Sequence, residues 1–473
     1  MRKNAHTRVR LEPGRRPTEQ APHHEVANEF SETAKLAFPM VLTQVGQIAM
    51  ITTDLAFIGR LGPESLAGAA LATRIYLVCF TFAGGLLAAI TPLVAQAFGR
   101  DNLALVRRSL RMGIWTALLL SLPTTMFALR GERMLLSLGQ EPAAARLAQE
   151  YLLGLACGMA PALCFQSVRH FMGAVNRPEP ALWITLATVP LNALLVYLLS
   201  FGTLGLPRLE LFGVGLATTL VNYATLLAGL CSTKFLRPFR DYHVLVHFWR
   251  FDWPVMRQLF VIGTPISVVS LIGYALMLAA ALLAGRISSY TVAVHQIVLQ
   301  VAAILFMVSS GISTAAGVRV SQAVGRNDVS SIKRATLVAM LLGVLIATIL
   351  TFVVIAARMK IAELFLGGSG RDADAIIRLA AKLLLVSGTF FIADAAQIIA
   401  VGALRGLKDT RVPVLFAVIA HWLIGFSLSY VLGLKVGLGA FGIWIGLSIG
   451  AAINASLLII RFRLLAKKAC SSE

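Results

Sequence analysis

The sequence predicts an all-α integral membrane fold: twelve transmembrane helices in two pseudo-symmetric six-helix lobes. Three observations carry that prediction. Of 473 residues, 58% are hydrophobic and only 14% charged, with a mean hydropathy of +0.79; soluble domains carry roughly 25% charged residues on their surfaces. Apolar runs recur along the chain, each of the ~20 residues that cross about 30 Å of hydrocarbon. The second half of the chain also repeats the first. VAQAFGR (94–100) faces VSQAVGR (320–326), five identities in seven at an offset of 226, and the same offset pairs Pro39 with Pro265, Gly59 with Gly285, Arg60 with Arg286, Phe80 with Phe306 and Gly85 with Gly311. Farther on, GAVNRPEP (173–180) faces GLKDTRVP (406–413) at an offset of 233.

Residues 1–30 are polar and hold no apolar h-region, so they are expected to be a disordered cytoplasmic tail and not a cleaved signal. An N-lobe, 31–236, follows, with spans expected at 34–59, 66–95, 110–130, 147–172, 179–201 and 212–236. A basic cytoplasmic linker at 237–254 leads to a C-lobe, 255–465, with spans at 255–285, 290–318, 332–358, 376–404, 411–434 and 438–463, then a short cytoplasmic tail, 466–473. Six is even, so each half begins and ends on one side, which makes the halves parallel repeats about an axis along the membrane normal. Prolines 39, 92, 190 and 265 lie inside spans, where each frees a carbonyl and favours a kink.

The net charge of +20 comes from residues lying between the apolar runs, unlike the basic face of a nucleic-acid-binding domain. With the N-terminus inside, 29 of the 42 Lys and Arg fall on the inner side, which orients both termini to the cytoplasm. The bilayer is the expected partner, as a multi-pass protein of a bacterial-type inner (plasma) membrane, and nothing calls for a second subunit: a monomer suffices. Four of five cysteines sit in apolar runs without a CxxC, and His243 and His247 have no third ligand nearby, so no metal centre or other cofactor is expected.

Only Asp54 and Asp394 among the 22 acids fall well inside spans. A charge at that depth costs on the order of 2.5–3.5 kcal/mol and is kept chiefly where it meets an ion, a partner or a cavity. Gln44, Gln47 and Thr53 add polarity to the first span, and Gln47 lies two helical turns from Asp54 on one face. Gln397 stands three residues after Asp394 on its face. Asn192 in the fifth span supplies a carbonyl ligand to Asp54 if those two spans pack together, and His295 is a further polar group for the cavity. Asn222, Asn454 and His421 read more simply as packing groups.

These residues resemble the multidrug and toxic compound extrusion (MATE) family, of the NorM type. The likeness covers about residues 30–465 and rests on LAGAALATRIY (66–76), GLLAAITPLVAQAFGRDN (85–102), VAVHQIVLQVAAILFMVSSGIS (292–313), VRVSQAVGRND (318–328) and DAAQIIAVGALRGLKDTRVP (394–413). It implies a V-shaped bundle that exports organic cations, dyes and drugs in exchange for inward H+ or Na+. By resemblance Asp54 is the first-helix acid of the N-lobe cation site, Asn192 one of its fifth-helix asparagines and Asp394 the tenth-helix acid, so that Na+, where it is the coupling ion, sits at Asp54 or Asp394. Thr188 stands where a second asparagine is expected, Gly273 where Na+-coupled relatives have a seventh-helix Glu, and Phe390 where they have Tyr.

The expected activity is therefore secondary active multidrug antiport by alternating access between two lobes. A lipid-linked saccharide flippase is the alternative; it needs a cavity lined with arginines for pyrophosphate, and Lys and Arg are nearly absent from mid-span positions. An enzyme is not expected, since neither HExxH nor GxSxG occurs.

Overall fold

Apolar runs of this length leave the backbone no partner in hydrocarbon except itself, so they form helices. In the computed structural model, which describes residues 22–471 apart from 203, 204, 206, 245, 247 and 367–372, the described residues contain helices and connections and no strand. The helices are α1 Pro22–Leu61, α2 Pro63–Leu87, α3 Ile90–Gly99, α4 Leu103–Ala128, α5 Gly131–Ser137, α6 Pro142–Ala156, α7 Met159–Ala174, α8 Glu179–Phe201, α9 Glu210–Phe235, α10 Trp253–Gly285, α11 Ser289–Gly325, α12 Val329–Leu366, α13 Ala373–Gly406, α14 Arg411–Lys435 and α15 Ala440–Ser471. Taking α2 with α3 and α6 with α7 as single interrupted spans gives twelve crossings.

The breaks have chemical causes. Proline cannot donate to the carbonyl four residues back. Pro92 thus opens the helix at Ala88–Ala89, and Pro161 opens it at Cys157–Gly158, where α6 and α7 meet at 52°. Pro39, Pro190 and Pro265, expected to act likewise, lie inside continuous helices.

The expected disordered tail is shorter than the sequence suggested, since 22–30 are helical. Helix α1 already begins at Pro22, and Glu29 within it is held by Arg319 through two hydrogen bonds of 2.9 and 2.7 Å. At the other end α15 continues to Ser471. Polar residues prolong both helices beyond the hydrocarbon, which hydropathy cannot register. Residues 1–21, His247 and the last two residues lie outside the described residues. The linker packs against the N-lobe: Phe239 and Tyr242 are buried on Phe171, and Trp115 stacks on Phe248 at 5.7 Å and donates to its carbonyl at 3.1 Å.

Burial defines the V. Around one end, a single core joins the lobes, running from Leu36 through Ile90, Phe171, Leu259 and Ile312 to Ile399. Toward the other end it divides into an N-lobe core about Ile58, Tyr151 and Val214 and a C-lobe core about Leu276, Phe390 and Trp444. Outward, α12 exposes Leu337, Leu341, Leu345, Ile349 and Phe352 at successive turns of one face, a surface suited to acyl chains.

Trp444 centres the C-lobe core. It is fully buried, donates Nε1–H to His295 Nδ1 at 3.2 Å, and meets the Phe390 ring edge-on at 5.3 Å. Trp444→Ala is expected to cost about 3–5 kcal/mol. Thermal unfolding in detergent checks this, and an unchanged melting temperature would contradict the packing described.

Candidate cation sites and the interlobe seam

Asp54 lies on α1 where α8 and α9 pack against it. Its carboxylate is 7% exposed and both oxygens are engaged: Asn192 Nδ2 donates to Oδ1 at 2.6 Å and Thr218 Oγ1 to Oδ2 at 3.3 Å. No Lys or Arg among the described residues pairs with it. Asn192 is fully buried, and its own Oδ1 accepts no hydrogen bond from any described residue. Two carboxylate oxygens, an amide oxygen lacking a donor and a hydroxyl form an oxygen-rich nest that fits a proton or a hard cation such as Na+. The sequence joined Asp54 to Asn192 but missed Thr218, because back-bonded threonines are common in spans and nothing in the pattern marks this one.

Asp394 on α13 is half-buried and accepts from Gln397 Nε2 at 2.7 Å. Gln397 is the hub of this site: its Oε1 also receives Asn454 Nδ2 at 2.9 Å and lies 3.0 Å from His421 Nε2. His421 sits on a stretch of α14 with wide π-helical turns, a distortion that often marks functional positions. His421 and Asn454, read from the sequence as packing groups, are thus tied to the Asp394 network. The two acids are not symmetry mates, since the offset of 226 puts Ala280 opposite Asp54.

Other expected site residues lie elsewhere. Thr53 bonds back to Ala49 at 2.8 Å and Thr188 to Thr185 at 2.7 Å, so neither reaches Asp54. Gln47 is half-buried, and no hydrogen bond joins it to Asp54. Gln44 bridges the lobes, accepting from Arg169 at 3.3 Å and donating to Ser310 at 3.4 Å. His295, expected in the cavity, is 1% exposed inside the C-lobe core, because its ring packs on Trp444. Gly273 borders open space, with nothing within 4 Å of an added Cβ. Phe390 is 3% exposed against Trp444.

The repeated motif occupies the seam. Gln96 Nε2 reaches from the N-lobe to the Gly406 carbonyl at 3.0 Å, and Gln322 Nε2 reaches from the C-lobe to the Ala174 carbonyl at 3.0 Å. Gln96 and Gln322 are 226 apart; Ala174 and Gly406 are 232 apart. The turn hydrogen bonds Arg177 N to Met172 O and Asp409 N to Leu404 O give the same 232, which corrects the expected 233 by one residue. Gln322 also exchanges amide hydrogen bonds with Asn176 at 3.0 and 3.2 Å.

The glycines obey the same symmetry. A side chain at Gly85 would strike Ser267 and one at Gly311 would strike Val41, while Gly99 lies on the Gln322 backbone and Gly325 on that of Gln96. After each motif copy the chain turns through a left-handed residue, Asp101 (φ 53) or Asn327 (φ 55), into an N-cap, Asn102 or Asp328. All these contacts lie at the end where the common core joins the lobes. At 1.5 Å per residue, Asp54 stands roughly 15 Å from Gln44 along α1, and Asp394 roughly 18 Å from Gly406 along α13. Both acids therefore lie away from the closed seam.

A two-lobe bundle of this plan is matched by known proteins. The sequence profile of the MatE family covers residues 39–198 and 265–431. The chain is 54% identical to the probable multidrug resistance protein NorM of Bradyrhizobium diazoefficiens, over 96% of this chain and 97% of that one. The chain belongs to the MatE family. A second relative, the probable multidrug resistance protein NorM of Rhodopseudomonas palustris, is 50% identical over 94% of each chain. Among solved structures the fold resembles the eukaryotic MATE transporter AtDTX14, with a TM-score of 0.83 at 19% identity over 94% of this chain and 98% of that one. It also resembles a multidrug resistance MATE family transporter in an outward-facing conformation, with a TM-score of 0.85 at 18% identity over 96% and 99%. The protein is thus a multi-pass membrane transporter of the MatE family, not an enzyme.

Proposed function

We propose that the protein expels lipophilic, mostly cationic compounds in exchange for inward-moving H+ or Na+, as a monomer in a bacterial-type inner membrane. The observation that carries this reading is Asp54: a carboxylate deep in the bundle, held by neutral donors and by no basic residue among those described. Such a group alternates between a bare and a cation-bound form as access changes sides. With the Lys- and Arg-rich face in the cytoplasm, both termini are inside, the closed seam is the inner end and the cleft opens outward. Cation entry then neutralises the carboxylate and lets the drug leave. An inside-negative potential contributes about 2.3 kcal/mol per charge per 100 mV, enough to hold a neutral drug at roughly a fiftyfold gradient.

The test is ethidium transport into or out of proteoliposomes holding the purified chain, with pH and Na+ gradients imposed separately. One of the two is expected to drive uphill movement. If neither moves ethidium, or any other lipophilic cation, through folded protein, the reading fails and lipid flipping becomes the next assay.

A further inference from the structure

Two arginines at the floor of the cleft lack an acid. Arg169 on α7 makes one hydrogen bond, from Nη1 to Gln44 Oε1 at 3.3 Å. Arg405 on α13 makes no hydrogen bond or ion pair with a described residue, and its Nε is shielded from solvent. His170 follows Arg169 on α7; its Nδ1 is 3.0 Å from Thr91 Oγ1 and its Nε2 is shielded and unpartnered among the described residues. The charges acting on His170 are those of Arg169 and Arg405. Arg405 also lines a small recess with Thr410 and apolar walls from Ile266, Val269, Val401 and Pro413. Three acids at this end of the bundle are committed to other arginines: Glu29 to Arg319, Asp409 to Arg461 and Asp252 to Arg108.

Removing a guanidinium from water without a counter-charge costs several kcal/mol. Arg169 and Arg405 are half-buried groups without an acid, near a shielded imidazole nitrogen, and are well suited to a ligand, because the guanidinium fork matches the planar oxygens of a carboxylate or phosphate. We propose that Arg169, His170 and Arg405 form an oxyanion site at the floor of the cleft, binding the carboxylate or phosphate group of an otherwise lipophilic molecule. The proposal rests on the export reading above and extends it: the transported set includes molecules that carry an acid group as well as an apolar body.

Rhodamine 6G and its free acid, rhodamine 19, differ by one ethyl ester and make a matched pair of probes. Fluorescence anisotropy with the purified chain in nanodiscs of neutral lipid reads binding of each without any gradient. Arg169→Gln and Arg405→Gln are each expected to weaken rhodamine 19 by about tenfold or more while rhodamine 6G stays within about twofold. Arg169→Lys should keep part of the preference. Both Gln variants should melt no lower than the parent chain, since an unpaired charge has been removed.

Phosphatidic acid added to the nanodiscs separates the two sources of the oxyanion. Displacement of rhodamine 19 from the parent chain assigns the site to a lipid phosphate, and no displacement assigns it to the acid of the transported molecule. Equal loss of both dyes, loss of neither, or a marked fall in melting temperature overturns the proposal. Acid-selective binding with no export of either dye would sink the antiport reading and leave the site standing.

Discussion

Asp54→Asn is expected to abolish uphill export while leaving gradient-free exchange of substrate across the membrane. The amide keeps the shape of the side chain: its oxygen still accepts from Asn192, and its Nδ2 donates to Thr218 Oγ1 in place of the hydrogen bond lost at Oδ2, so the contacts among α1, α8 and α9 survive. What disappears is the charge, and with it the alternation between bare and cation-bound forms. A single fixed state cannot couple one flux to another, so the drop in gradient-driven ethidium transport should reach the background of empty liposomes. Counterflow of labelled substrate, run on the same preparation, separates lost coupling from lost folding. Asn192→Ala should give a smaller loss, since a net hydrogen bond to a charged group is worth about 1.5–3 kcal/mol and the carboxylate itself remains. If Asp54→Asn retains uphill transport under the gradient that drives the parent chain, the N-lobe site is not the coupling site, and Asp394 with its Gln397 hub takes its place.

The spans were legible because hydropathy reports depth in a membrane directly: α8 runs from Glu179 to Phe201, the expected limits. Polar extensions were not, because residues such as Glu29 carry no apolar signal and are helical through a contact with Arg319, 290 positions away. The pairing of Asp54 with Asn192 followed from a costly acid, a buried amide and the family resemblance together. Thr218 had no comparable mark. His295 shows the limit of reading polarity alone: whether a buried imidazole meets a cavity or a tryptophan depends on which helix lies against it, here α15. Arg169 and Arg405 escaped for a related reason. Near the ends of spans an arginine ordinarily snorkels to water, and only the folded seam puts these two under the cleft. The motif repeat was visible, but its partner segments at the seam, the helix ends at Ala174 and Gly406, align only at 232, a register that the hydrogen bonds set and side-chain identity obscures.

Gly99→Leu and Gly325→Leu are expected to open the closed end. Each glycine carries the other lobe's backbone directly against its Cα; a Cβ at Gly325 would meet the Gln96 carbonyl and lie 3.0 Å from the Gly99 Cα. These neighbours are main chain in continuous helices and cannot rotate aside. Overpacking of this kind typically costs about 1–3 kcal/mol, and here it falls only on the conformation in which the lobes touch. The equilibrium between the closed seam and its open counterpart should therefore shift by about 5–150-fold toward the open one, without loss of the core of either lobe. Spin labels at Ala104 and Ser330, both exposed beside the seam, measure this by dipolar spectroscopy: the variants should gain a longer interlobe distance that the parent chain rarely populates, and export should fall because one of the two states is disfavoured. Removing part of the polar half of the seam with Gln96→Leu should move the distance in the same direction by less, since it loses one amide-to-carbonyl hydrogen bond worth about 1 kcal/mol, while Gln322→Leu, which also loses two hydrogen bonds with Asn176, should move it farther than Gln96→Leu. An unchanged distance distribution in Gly99→Leu and Gly325→Leu would mean that the seam yields locally, and that the motif repeat does not govern which face of the bundle is closed.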